Sequence, residues 1–329
     1  MIVTPGHFTA HPADAAALFK ATVTTIEIEI SSYCNRRCGF CPNSSIDRIS
    51  GQTLMDDALF DSVLGQLGRL DWEGVLSFHR YNEPLSDRDY FMRRLHEARR
   101  LAPSAHVRVF TNGDYLTRDY LDAIYEGGCR SIISSVYLQE GKPYDDEAME
   151  KAVVRRIANL GLTFTWDAKA PGFHWARVPY KDMEFIVRGQ DYFRTVGEQQ
   201  ALFNRGGILP VNTTIRRTDP CTKPFVEMQI EVDGTLLPCC EFRSDHPDHQ
   251  AYVLGRLQPG DDIVAAWTSA SYAKWRRDLF SFDAKTGACA TCTLAGIGDT
   301  PEIRTLVANV RQHWIEPSEP AVEHSAACA

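Results

Sequence analysis

From residue 25 onward the chain repeats a pair of patterns. A short apolar or alternating run, which fits a strand, is followed by a longer stretch with apolar residues three and four apart, which fits a helix. "TIEIEI" predicts a first strand and residues 56–70 a helix. "GVLSFHR" predicts a second strand, and a charged helix follows over 87–102. "HVRVFTNG" ends a third strand in a turn, and "TRDYLDAIYEGG" has a capping threonine and a terminal glycine pair. "SIISSVYL" predicts a fourth strand, 145–160 a helix and "LTFTWDA" a fifth strand. Repeated βα units imply a parallel sheet with right-handed crossovers. Five or six units predict an α/β fold, a partial (β/α)6 TIM-like barrel rather than the full eight. Reactive groups are then expected at the C-terminal ends of the strands.

Past residue 168 the alternation stops, and the aromatic and charged stretch 170–200 predicts no element. A second unit begins near "NRGG", a turn that either brings Arg205 to a cleft or is purely structural. It contains "FVEMQIEVDGTLLPCC", two alternating runs around Asp233-Gly234, the strongest short hairpin signal. A helix over 262–280 and then "CATC" follow. The expected organisation is an N-terminal extension (1–23), a partial barrel (24–200), a small domain of a β-hairpin plus a helix (201–300) and a tail (301–329). Residues 316–329 have the composition of a disordered end.

Composition narrows the chemistry. At 44% hydrophobic and 24% charged, the 329 residues suit a globular protein with a large core. A net charge of −8 argues against nucleic-acid or anionic-membrane binding, and leans slightly towards cationic ligands. No run approaches the roughly 18 apolar residues of a membrane span, and the first twenty residues lack a signal-peptide pattern. A cytoplasmic location is expected, where thiols stay reduced and clustered cysteines mean metal or redox chemistry.

The ten cysteines are grouped. Cys34, Cys38 and Cys41 stand as C-x3-C-x2-C just after the first strand. Three thiolates on one loop can ligate three irons of a 4Fe–4S cube and leave the fourth open to an outside ligand. A zinc site short of one ligand is the bland alternative. Late in the chain, Cys221, Cys239, Cys289 and Cys292 supply four more, enough to close a second cluster or a zinc ribbon. Cys240 is left over beside Cys239, and Cys129 is expected to be a small buried hydrophobe.

With its early loop behind a strand, and Phe40 before the third cysteine, the sequence resembles the radical S-adenosylmethionine (SAM) superfamily. The resemblance implies that the amino and carboxylate groups of SAM fill the open iron. It also implies that an electron cleaves SAM to methionine and a 5′-deoxyadenosyl radical. Phe40 matches the position that packs on adenine. "YNEP" stands where the family usually has GGEP, so Glu83, with the backbone at Asn82, would hold the SAM ammonium. Tyr81 and Asn82 depart from the two glycines. Asn112 in "TNG" is a candidate for positioning SAM, and Ser134 or Ser135 for the ribose hydroxyls.

The late cysteines resemble the SPASM/twitch extension, which binds auxiliary iron–sulfur clusters around a hairpin. Four cysteines fit a single auxiliary cluster, the shorter twitch type, so the expected cofactors are two 4Fe–4S clusters and SAM. The function implied is an oxidoreductase that converts an alcohol of a small natural-product precursor, such as a sugar or aminocyclitol, to a ketone. The auxiliary cluster would accept the electron, and a flavodoxin- or ferredoxin-type donor would supply the SAM cluster. The residues identify no general base. Two alternatives remain within radical chemistry: an epimerase in which Cys240 returns a hydrogen atom, and a peptide maturase. The short stretch before the first strand favours a small molecule over a peptide. A non-catalytic metal scaffold gives no reason for a three-cysteine loop beside a glutamate motif.

Overall fold

The computed structural model describes residues 3–138, 143–196, 199–200, 202–210, 214–294 and 296–315. The βα pattern folds as the periodicity requires. After α1 (Ala15–Thr22) come β1 (Thr25–Ile28), α2 (Asp57–Arg69), β2 (Val75–Ser77), α3 (Arg88–Leu101), β3 (His106–Thr111), α4 (Arg118–Glu126), β4 (Ser131–Val136) and α5 (Asp146–Asn159). Each of α2 to α5 starts where a side-chain oxygen satisfies an otherwise unpaired amide: Asp56, Asp87, Thr117 and Asp145 accept from the third residue on.

The next strands depart from the expected order. β5 (Thr165–Ala170), β6 (Phe173–Arg177) and β7 (Glu184–Gln190) form an antiparallel meander, and it is β7 that lies parallel beside β4. The predicted fifth barrel strand is therefore the outer edge of the sheet, and the true fifth parallel strand comes from the stretch that predicted nothing. Burial gives the reason. β5 has Asp167 and Lys169 exposed, as an edge strand should. In β7 the consecutive Phe185, Ile186 and Val187 are buried, the signature of a strand covered on both faces.

A ribbon, β8 (Thr195–Val196) with β9 (Gln199–Gln200), leads to α6 (Lys223–Val226), β10 (Glu227–Ile230), β11 (Thr235–Leu237) and β12 (Gly255–Arg256). The predicted hairpin is β10–β11. Its β10 runs parallel to β1, pairing Thr25 with Glu227 and Ile28 with Ile230. The sheet order is β12-β11-β10-β1-β2-β3-β4-β7-β6-β5, with six parallel strands in the middle. The sheet thus runs unbroken across residue 200.

The helix expected over 262–280 is split into α7 (Ile263–Trp267) and α8 (Ala270–Leu279). Thr268 Oγ1 turns back to the Val264 carbonyl at 2.8 Å, and Ser269 caps the second helix. The start of the expected tail is helical: α9 (Pro301–Val310) buries Val307 and Val310 against Phe8, Phe225 and Phe280 in a small second core. The predicted disorder of 316–329, with Cys328, lies outside the described residues. Among the described residues, no helix is long and apolar enough to cross a membrane.

Candidate active site

The loop after β1 carries the three early cysteines and is fastened to its neighbours. Ser32 N donates to Thr53 O at 2.9 Å, Cys34 N to Arg48 O at 3.0 Å and Cys41 N to Cys38 O at 2.9 Å. Arg36 forms a two-pronged ion pair with Asp114 beyond β3, at 2.6 and 2.7 Å. Asn43 Nδ2 donates to the Tyr81 carbonyl at 2.7 Å, tying the end of the loop to the turn after β2. Cys34, Cys38 and Cys41 line a cavity of about 560 Å³ at the C-terminal ends of the parallel strands. Phe40, Asn82, Glu83, Asn112 and Ser135 line it with them.

Glu83 is 2% exposed and accepts from Thr111 Oγ1 at 2.6 Å, Asn112 N at 2.7 Å and Leu85 N at 3.0 Å. Burial outweighs these bonds and pushes its carboxyl up to about 7. Asn82 and Asn112 spend their side chains on structure. Asn82 Oδ1 accepts from Arg80 N at 2.9 Å and its Nδ2 donates to Phe78 O at 3.2 Å. Asn112 Nδ2 donates to Asn35 Oδ1 at 2.7 Å and its Oδ1 accepts from Asp114 N at 2.9 Å. Phe40 stacks on Tyr192 with ring centroids 3.8 Å apart, and its centroid lies 5.1 Å from that of Tyr137. Ser134 does not face the cavity. It is fully buried and its Oγ accepts from Arg156 at 3.3 Å, because consecutive strand residues point to opposite faces and Ser135 takes the inner one.

Several cavity residues escaped the sequence reading. Glu27, on the inner face of β1, lines the cavity and makes no salt bridge among the described residues. Burial pushes its carboxyl up to about 7. Burial, with Arg80, Arg188 and Arg205 nearby, pushes His79 down to about 3, so its imidazole is neutral. Arg205 does face the cavity, from a left-handed backbone position (φ 50°), and donates to Glu241 Oε1 at 2.9 Å. The alternation of "TIEIEI", which sets Glu27 and Glu29 on one strand face, is the signal that would have found Glu27.

The late cysteines gather elsewhere. Cys221, Cys239, Cys289 and Cys292 line a small cavity of about 20 Å³. Cys221 N is held by Leu279 O at 3.0 Å, and Cys289 and Cys292 sit on successive turns. Burial pushes the Cys289 thiol up to about 12 and holds that of Cys239 well above the usual thiol range. Cys240 points the other way, into the larger cavity with the three early cysteines. Cys129 is fully buried and its Sγ contacts Val107 O at 3.4 Å. Among the described residues, no three His, Cys, Asp or Glu side chains converge closely enough for a single metal ion.

A family model described as the Radical SAM superfamily matches residues 28–163. One described as an iron–sulfur cluster-binding domain, SPASM, matches residues 221–293. The chain carries a radical SAM domain and a SPASM domain. Over 275 residues it is 29% identical to the S-adenosyl-L-methionine-dependent 2-deoxy-scyllo-inosamine dehydrogenase of Niallia circulans, spanning 81% of this chain and 91% of that one. The crystal structure of BtrN in complex with AdoMet and 2-DOIA is similar, with a TM-score of 0.55 at 25% identity over 78% of this chain and 87% of that one. BtrN in an open conformation gives 0.53 at 23% identity over 82% and 92%, a likeness of fold. This chain is similar to radical SAM enzymes in both of its domains. Its radical SAM domain implies a SAM-binding 4Fe–4S cluster and its SPASM domain an auxiliary iron–sulfur cluster, and the two thiol sets fit them.

Proposed function

We propose that this chain is a radical SAM enzyme that oxidises a secondary hydroxyl of a small polyhydroxylated molecule, an aminocyclitol or a sugar, to a ketone. The observation that carries the reading is the division of the thiols. Four surround a cavity of about 20 Å³, too small for substrate, and three border one of about 560 Å³. We assign Cys34, Cys38 and Cys41 to the SAM-binding cluster, and Cys221, Cys239, Cys289 and Cys292 to the auxiliary cluster. When bound, the first supplies the electron that cleaves SAM to the hydrogen-abstracting radical, and the second takes up the electron released on oxidation. Residues 24–200 serve the first centre and 201–300 the second, and a flavodoxin- or ferredoxin-type protein of the cytoplasm is the electron donor.

Within this reading Glu83 receives the SAM ammonium, Phe40 the adenine and Ser135 a ribose hydroxyl. Asn112 positions the cluster loop through Asn35 instead of touching SAM. Loss of a hydrogen atom from the carbinol carbon leaves a substrate radical. Loss of the hydroxyl proton and one electron then completes the ketone. Glu27 takes the proton: it lines the cavity, and a carboxyl near 7 is matched to proton transfer at neutral pH.

One observation favours a second reading. Cys240 faces the large cavity, where a thiol could return a hydrogen atom and give an epimer. An anaerobic assay with SAM, reductant and a panel led by 2-deoxy-scyllo-inosamine separates the two. Oxidation yields a product lighter by two hydrogens, and replacing Cys240 leaves turnover intact. A product of unchanged mass in ordinary water that becomes one unit heavier in deuterated water, with the deuterium at an inverted carbon, and a Cys240→Ala variant that stops after one turnover, establish the epimerase instead.

A further inference from the structure

Arg217 closes one side of the four-cysteine cavity and has no part in the chemistry above. It is 5% exposed. Its Nε donates to Asp219 O at 3.3 Å, Nη2 to Pro220 O at 3.5 Å, and Nη1 both to Leu294 O and to Cys292 Sγ, the last at 3.7 Å. Its oxygen partners are all neutral main-chain carbonyls, and it makes no salt bridge among the described residues. Behind it Lys285 is equally buried. Its Nζ donates to Ser281 O at 2.6 Å and Asp283 O at 2.9 Å, it too makes no salt bridge among the described residues, and its backbone amide donates to Arg217 O at 2.9 Å.

A buried guanidinium without a carboxylate is expensive unless something else balances its charge. Among the described residues, the one hydrogen-bond partner of Arg217 that can carry negative charge is Cys292 Sγ, once it binds iron as a thiolate; Glu241 lines the same cavity and pairs with Arg205. The planar fork of an arginine suits the task, since it holds three carbonyls and still presents a proton to sulfur. Adding an electron to a thiolate-bound cluster adds negative charge, which a cation and an N–H···S hydrogen bond both favour.

We infer that Arg217 sets the reduction potential of the auxiliary cluster, donating to Cys292 and raising the potential so that the cluster accepts an electron. It is a positioning and tuning residue that touches neither substrate nor SAM. The inference rests on the proposal that these four thiols hold an iron–sulfur cluster, and the test separates the two claims.

Full-length Cys34→Ala/Cys38→Ala/Cys41→Ala protein isolates the auxiliary centre. If it binds no iron, or binds zinc, the cluster reading itself falls, and this inference with it. If iron is bound, EPR-monitored potentiometry compares Arg217 with Arg217→Gln and Arg217→Lys in that background. A tuning role predicts a midpoint shifted to more negative potential in the glutamine variant and partly restored by lysine. An unchanged midpoint in Arg217→Gln at full iron content overturns it. Should that variant lose its iron, protein labelled with 15N-arginine decides the matter without substitution. Pulsed EPR of the reduced cluster then shows a coupling to arginine nitrogen, and the absence of that coupling overturns the inference.

Discussion

Glu83 is a carboxyl that burial holds near 7 until a cation arrives. Its folded value lies above the ordinary glutamate value of 4.5, so the bare protein loses stability as pH rises through 4.5 to 7, by about 3 kcal/mol in all. A SAM ammonium beside the carboxylate reverses that cost. SAM binding should therefore strengthen as pH rises through about 7. Glu83→Gln should flatten this dependence and weaken binding at pH 8 by roughly 1.5–3 kcal/mol, as for a lost charge-assisted hydrogen bond. Anaerobic calorimetry between pH 6 and 8.5 measures both, and an equal slope in the variant would sink the assignment. Glu27 calls for a different readout. Glu27→Gln should lower ketone formation by a factor of about 100 or more, while 5′-deoxyadenosine still forms in the presence of substrate. Parallel loss of both products would mean that Glu27 supports binding rather than proton transfer. At this scale the sequence was most informative for cysteines, whose chemistry depends on identity and spacing alone. Which face Ser134 or Cys240 presents depends on strand register. The alternation of its strand put Glu27 on one face with Glu29, but that this face lines the cavity shows only in the folded sheet.

At the scale of elements, local periodicity located β1 to β4, α2 to α5 and the hairpin, because each is specified by its own apolar positions and caps. It misplaced the fifth parallel strand, because β5 and β7 differ in what covers them, and "LTFTWDA" alternates as a barrel strand does. It also left open where the hairpin docks, since a pairing between residues 25–28 and 227–230 leaves no local trace. That docking brings the second thiol set next to the first. It depends on the turn at Gly234, which has φ 87° and where an added Cβ would lie 2.3 Å from the Leu257 carbonyl. Gly234→Ala should cost more than about 1 kcal/mol, since the backbone conformation and the contact both oppose it. Because Cys239 follows β11, the variant should lose auxiliary iron before SAM-cluster iron. Thermal unfolding and iron content, measured together, test this, and an unaltered melting temperature would refute it.

Across the whole molecule, the two thiol sets are joined by buried charge rather than by apolar packing alone. Arg48, on the early cysteine loop, donates to Glu29 Oε1 at 2.8 Å and Asp245 Oδ2 at 2.9 Å, and its carbonyl accepts from Cys34 N at 3.0 Å. Glu29 Oε1 also accepts from Tyr81 N at 3.3 Å. Tyr81 Oη in turn donates to the carbonyl of Cys240 at 2.8 Å. Arg243, beside Asp245, reaches Asn43 Oδ1 on the early loop at 3.0 Å. One network thus holds the three-cysteine loop, the turn bearing Glu83 and the segment after Cys239. Arg48 is 6% exposed and Glu29 fully buried. Removing one partner of such a pair strands the other charge, at about 3–5 kcal/mol, whereas replacing both with apolar residues is often close to neutral. Arg48→Met should therefore destabilise the protein by about that amount and lower iron at both centres together. Glu29→Met/Arg48→Met should recover most of the stability, measured by denaturant unfolding of the anaerobic protein. If the double variant regains stability but neither centre regains iron, the network's main role is to set the geometry of the two sites. If the single variant loses iron at only one centre, the pair does not couple them.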